Sequence, residues 1–116
     1  MMIKHSEDYR NKTIPPALME AMGQFVEESF KNGTLVDTAG LKPTQDGMRV
    51  RLKGGKVTVM DGPFTEAKEI VGGYAIVNAK SREHARQIAE RFMELHRVHW
   101  PEFEGESEVR ELEDMG

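Results

Sequence analysis

Four charged side chains follow one another closely past a sharp bend: Asp61, Glu66, Lys68 and Glu69. Carboxyl groups held near one another cannot both ionise freely. One pKa rises, and the pair can divide the roles of base and acid. Asp61 is then the candidate general base, Glu66 or Glu69 its proton partner, and Lys68 a cation suited to an anionic group. Acid/base assistance of this kind is worth about 10²–10⁴ in rate and needs no cofactor. The same residues also have a purely structural reading. An Asp before Gly62-Pro63 bonds nearby backbone N–H groups and starts a turn. Glu66, Lys68 and Glu69 read equally well as a solvated loop, where exposed pairs carry little energy.

Other candidates extend this set. Arg49 and Arg51 share a strand face, and a guanidinium fork suits a carboxylate ligand. The plainer alternative is a wet face balanced by acids across the sheet. Lys4, at the end of the first strand with His5 beside it in reach of the same cleft, and Phe64, directly after the bend, join Arg49 and Lys68 as expected ligand contacts. His96 and His99 are three residues apart and can meet on a helical face to share a metal. No third acidic ligand is fixed by spacing, and a His-Glu-x-x-His pattern is absent. The favoured reading is histidines at a helix end, where a protonated ring suits the dipole. No metal and no cofactor are expected.

These residues need elements to position them. Met1 to Lys4 reads as a short strand, followed by a polar loop from His5 to Thr13. Pro16 suits the first position of a helix, and Leu18, Met22, Phe25, Val26, Ser29 and Phe30 form its apolar stripe. Asn32-Gly33 supplies the stop. Thr34 to Thr38 reads as a strand, and Gly40 to Gly47 as a loop. Met48–Leu52 and Lys56–Met60 alternate on either side of Gly54-Gly55, the pattern of a hairpin with a tight turn. Tyr74–Val77 is apolar on both pleat faces, which predicts a central strand covered twice. Ser81 caps a second helix carrying Ala85, Ile88, Ala89, Phe92, Leu95 and His96, and Pro101 stops it. Glu102 to Val109 alternates as a closing edge strand with glutamates 102, 104, 106 and 108 on one face. Such a row discourages edge-to-edge pairing, and one straight line cannot supply the six or more converging oxygens of a calcium site.

The predicted architecture is α+β and ferredoxin-like: a βαββ(β)αβ order, with two helices on one face of an antiparallel sheet. Two helices cover one face only. A doubly apolar central strand therefore calls for a second copy of the chain, in a twofold dimer with sheets facing each other.

The 116 residues are one domain's worth, and a single domain over 1–116 is expected. With no cysteine, disulfides, thiolate metal sites and cysteine nucleophiles are excluded. No apolar run nears the roughly 20 residues that span a bilayer, and the N-terminus lacks a signal-peptide core. A soluble cytoplasmic protein without a membrane partner is the expectation. The net charge of −4 is unevenly spread: residues 1–60 carry +2, residues 61–101 carry zero and residues 102–116 carry −6. No basic stripe of the kind phosphate backbones need is formed, so no direct nucleic-acid partner is expected. Neither Gly54-Gly55 nor Gly72-Gly73 leads into a helix, as a nucleotide loop would, and no Gly-x-Ser-x-Gly elbow exists.

The stretch Val59-Met60-Asp61-Gly62-Pro63-Phe64-Thr65-Glu66-Ala67-Lys68-Glu69, followed by Gly72-Gly73-Tyr74, resembles the YCII-related, or DGPF-domain, family. The resemblance extends to Gly23-Gln24-Phe25 with Glu27-Glu28, to Gly40-Leu41-Lys42-Pro43 and to Gly105-Glu106-Ser107-Glu108-Val109-Arg110. It implies a dimeric α/β barrel of ferredoxin-like subunits. It also implies kinship with small-molecule lyases and isomerases that use a His/Asp pair, and some members lie beside or are fused to sigma-factor-like regions. Asp61 offers the Asp half. None of His5, His84, His96 and His99 matches the position of the relatives' histidine. Two functions follow as expectations. One is a homodimeric, cofactor-independent, lyase- or isomerase-like acid/base enzyme, with a cleft near Asp61 for an unknown small molecule. The other is a non-catalytic dimer that binds a ligand or protein, with a regulatory role linked to transcription.

Overall fold

The computed structural model describes residues 1–6, 13–64 and 69–113. Strand β1 (Met2–His5) leads to helix α1 (Pro16–Lys31) and strand β2 (Leu35–Gly40). A 3₁₀ turn at Thr44–Asp46 precedes β3 (Met48–Lys53) and β4 (Lys56–Asp61). Strand β5 (Ile70–Val77), helix α2 (Arg82–His99) and strand β6 (Gly105–Glu108) complete the order. The main sheet runs β2-β5-β1-β6 with every pairing antiparallel, the ferredoxin-like arrangement of two split β-α-β units. The hairpin β3–β4 is inserted between β2 and β5 and forms a separate two-stranded sheet.

Local chemistry explains these boundaries. Pro16 takes the first helical position of α1, where its missing N–H is harmless. At the other end Asn32 N–H bonds the Glu28 carbonyl, and Gly33, with φ +77°, turns the chain out. Ser81 caps α2 by accepting a hydrogen bond from His84 N–H at 3.0 Å. Gly54 and Gly55, with φ +58° and +76°, give the hairpin the two left-handed positions that match strand twist.

Three elements depart from the sequence expectation. Strand β5 begins at Ile70: Gly73 pairs with Ile3 of β1 and Gly40 of β2, Val71 with Lys4, and the register shifts across Gly72 without ending the strand. The closing strand is shorter than Glu102–Val109, because Pro101 and Glu102 turn and pairing with β1 starts at Gly105. Arg49 and Arg51 do not face acids across their sheet: their partners are Met60 and Thr58.

The helices cover one face of the main sheet. Leu18, Leu35, Ala75, Ile88, Ala89 and Trp100 are the buried apolar side chains on that side. The central strand β5 has Ala75 buried beneath the helices, while Tyr74 and Ile76 point the other way and are only half-buried. No described helix is long and apolar enough to cross a membrane.

Candidate functional site

The helices do not close fully onto the sheet. A cavity of about 310 Å³ lies between them, walled mainly by apolar groups such as Met22, Phe25 and Ile88. Two imidazoles, His5 and His96, also line it, and both residues are 7% exposed. That combination is the chemistry of a small-molecule site: an apolar enclosure with a few fixed polar groups.

His5 ends β1 on the helix-facing side, two residues after Ile3. The fit is close, since a Cβ on Gly72 would stand 2.0 Å from His5 Nε2. A side chain at position 72 would therefore push the ring out of its place. His96 comes from the last turn of α2, one turn after Phe92. The rings form a connected cluster. His96 lies 4.8 Å from both Phe92 and Phe103, Trp100 lies 5.3 Å from Phe103, and His5 meets Phe103 edge-on at 6.1 Å. Gly105 lets Phe103 settle there, because a Cβ at that position would meet the ring at 2.7 Å and the Lys4 carbonyl at 2.6 Å.

The tautomers follow from the partners. His5 Nδ1 lies 2.6 Å from the Ser6 carbonyl oxygen, and His96 Nδ1 lies 3.1 Å from the Phe92 carbonyl oxygen. A carbonyl only accepts, so each Nδ1 carries a hydrogen, and a neutral His96 ring then has its lone pair on Nε2. Burial holds the His96 pKa below its ordinary value. The Phe92 carbonyl opposes that shift, and electrostatic repulsion from nearby His5 adds to it. His96 is thus a neutral imidazole at pH 7 on the wall of an apolar cavity.

The residues singled out in the sequence fall elsewhere. Asp61 ends β4 opposite Met48, exposed, and no hydrogen bond or ion pair of its carboxylate is formed among the described residues. Phe64 is buried, its N–H donates to Thr44 Oγ1 at 3.2 Å, and the Arg49 guanidinium lies 3.9 Å above its ring. A Cβ on Gly62 would stand 1.6 Å from the Thr44 carbonyl oxygen, so the bend after Asp61 is pressed against the 3₁₀ turn. Lys4 is occupied by acids: Glu108 at 3.2 Å, Glu106 at 3.6 Å and Glu69 at 3.8 Å. Its pKa is raised, chiefly by the hydrogen bond to Glu108. Glu66 and Lys68 lie outside the described residues. The structure therefore brings Arg49 together with Phe64, and Lys4 together with Glu69. Neither pair lines the helix–sheet cavity.

His96 does not point outward to share a metal with His99, since its ring turns inward and gives Nδ1–H to Phe92. Among the described residues no group of three or more His, Asp or Glu is placed to hold a metal ion. The sequence sets His5 beside Lys4 near the Asp61 cleft; with β1 running one residue further, the structure puts it on the helix–sheet cavity instead. Ile3 and His5 then fall on one face by simple alternation. His96 carried a plainer signal, its place on the apolar stripe of α2.

The order of elements, the Asp61–Phe64 bend and the Gly72-Gly73-Tyr74 strand agree with a family match. The model of the YCII-related domain matches residues 1–95, more than three-quarters of the chain. The chain belongs to the YCII-related family. Among curated proteins, this YCII-related chain is similar to an uncharacterised protein of Rhizobium meliloti (strain 1021). The two are 37% identical over 57 residues, which cover 49% of this chain and 46% of that relative. The chain thus spans under half the length of the relative it matches.

Proposed function

We propose that this YCII-related protein is a homodimer that binds a small, mostly apolar molecule carrying one weakly acidic group in the helix–sheet cavity. His96 Nε2 accepts that group's hydrogen bond, and acid/base chemistry of the lyase or isomerase kind proceeds from there. One observation carries the reading: a buried, neutral imidazole, its tautomer fixed by the Phe92 carbonyl, on the wall of a partly open apolar cavity. A neutral imidazole with a lone pair aimed at a ligand is a base matched to work near pH 7. His5 is the second imidazole on the same cavity wall. The dimer is supported by the main sheet's other face, where Tyr74 and Ile76 are half-buried and no helix of the same chain lies over them.

A panel of phenols, small carboxylates and lactones, read by thermal shift and followed by product analysis, tests this. A phenol is expected to raise the melting temperature of the wild type. The rise should vanish in His96→Phe, which keeps a ring but removes the acceptor, and should persist in Asp61→Asn. Equal binding by His96→Phe would overturn the reading. Loss of binding in Asp61→Asn would move the site to the hairpin's end, where Asp61 is the base, Glu66 or Glu69 its partner, and Arg49, Phe64 and Lys68 the ligand contacts. Product formation marks an enzyme, whereas saturable binding without turnover marks the regulatory, ligand-binding dimer.

A further inference from the structure

The hairpin β3–β4 has two chemically opposite faces. Met48, Val50 and Leu52 of β3 share one face with Val57 and Val59 of β4, and Val50↔Val59 and Leu52↔Val57 are directly opposed. These five side chains are between 62% and 73% exposed. The other face carries Arg49, Arg51, Lys53 and Lys56. The two strands pair with each other and with no strand of the main sheet. An isolated two-stranded hairpin is marginal in water unless something packs on its apolar side. The Cα radius of gyration, 16.1 Å, fits this picture: a compact chain of this length would measure about 13 Å.

We infer that the apolar face of the β3–β4 hairpin is an arm that packs on a second copy of this chain, over the partner's helix-free sheet face. The inference rests on the homodimer proposed above and names the element that holds it together. Size is the first argument. Five aliphatic side chains, each about two-thirds exposed, make a patch on the order of 500 Å². Two arms in a twofold pair then bury about 1,000 Å² from the arms alone, and the sheet faces they cover add to it, reaching the scale of a specific interface. The second argument is charge. The arm's basic face is opposite in sign to the edge strand β6, which carries Glu106 and Glu108 beside Lys4, within a segment, residues 102–116, of net charge −6. Only the arm's basic residues and that closing segment depart strongly from neutrality, and their signs are opposite. The third argument is the arm's fixed base. Gly62 N–H bonds the Gly47 carbonyl at 2.9 Å, and Phe64 is buried beneath Arg49, so the arm leaves the body in a set direction.

Light scattering at micromolar concentration, on the whole chain, tests the inference with Val50→Asp/Val59→Asp, which places two carboxylates at the centre of the patch. The wild type is expected at twice the chain mass. The variant is expected as a single chain, with unchanged far-UV circular dichroism and a dissociation constant raised at least about 100-fold. Both positions are exposed in one chain, so the variant keeps its fold. A photo-crosslinking residue in place of Val57 should give chain-to-chain products on β1, β5 or β6, and raised salt should loosen the pair. A wild type of single-chain mass would overturn both the dimer and the arm. A variant that keeps twice the chain mass would overturn the arm alone and leave a dimer held by another surface.

Discussion

Two regions of this chain are written in the same alternating code, and only one of them finds its cover within the molecule. In the main sheet, Ile3, Leu35, Ala75 and Val77 point to a face that two amphipathic helices come down upon. In the hairpin, Met48, Val50, Leu52, Val57 and Val59 point to a face that meets solvent. The contrast teaches that apolar alternation states only that a face will be covered. What covers it is decided by the number of helices and where the connections let them lie. Even the covered region is incompletely filled, and the cavity beneath α1 and α2 is where the two buried histidines sit. By the functions proposed above, the first region receives a small molecule and the second a partner chain.

The sharpest way to break this contrast is to damage one region and read the other. Trp100 is 8% exposed and closes the ring cluster against Phe103. Trp100→Ala should cost about 3–5 kcal/mol in chemical denaturation, as large-to-small aromatic replacements in cores do. At temperatures where it stays folded, its oligomeric state should match the wild type. A folded Trp100→Ala that falls apart into single chains would show that the regions are one cooperative unit.

Gly62→Ala reverses the direction of damage. The new Cβ would fall 1.6 Å from a backbone oxygen of Thr44, which cannot swing aside as a side chain would. The expected loss is about 1–3 kcal/mol, the usual scale of overpacking, together with a disturbed hairpin base and weakened pairing of chains. The His96 ring, in the other region, should keep its NMR signals. A His96 resonance that moves with Gly62→Ala would deny the separation.

Much of the fold was legible in the sequence because its signals are local. Pro16, Gly33, Ser81 and Gly54-Gly55 punctuate helices and hairpin by their own backbone preferences, and they sit where those preferences place them. The element order then leaves few antiparallel arrangements, and the ferredoxin-like one follows. What was not legible depends on contacts distant in sequence. Gly72-Gly73 reads as the lead into a strand at Tyr74, yet both lie within β5, where position 72 must leave room for the His5 ring from β1. Lys4 reads as a ligand contact until β6 brings Glu106 and Glu108 across the sheet to meet it. Asp61 draws the eye for its motif, whereas His96 reads as a helix-end residue or a metal partner of His99. No local pattern tells a buried imidazole with a free lone pair from an ordinary core residue.

The central claim is that His96 is a buried, neutral base facing a cavity, and its ring titration measures that directly. A histidine whose folded pKa lies below its unfolded value of about 6.5 stabilises the fold in its neutral form. That stability is present above pH 6.5 and is lost as pH falls through the lowered pKa. Long-range ¹H–¹⁵N spectra of the imidazoles should show His96 with its hydrogen on Nδ1, titrating below 6.5. Its Nε2 signal should move when a phenol is added. Thermal stability should fall on acidification over the same range, with a flatter slope in His96→Phe. A His96 that titrates at or above its ordinary value, or an Nε2 signal that no panel member disturbs, would contradict the account.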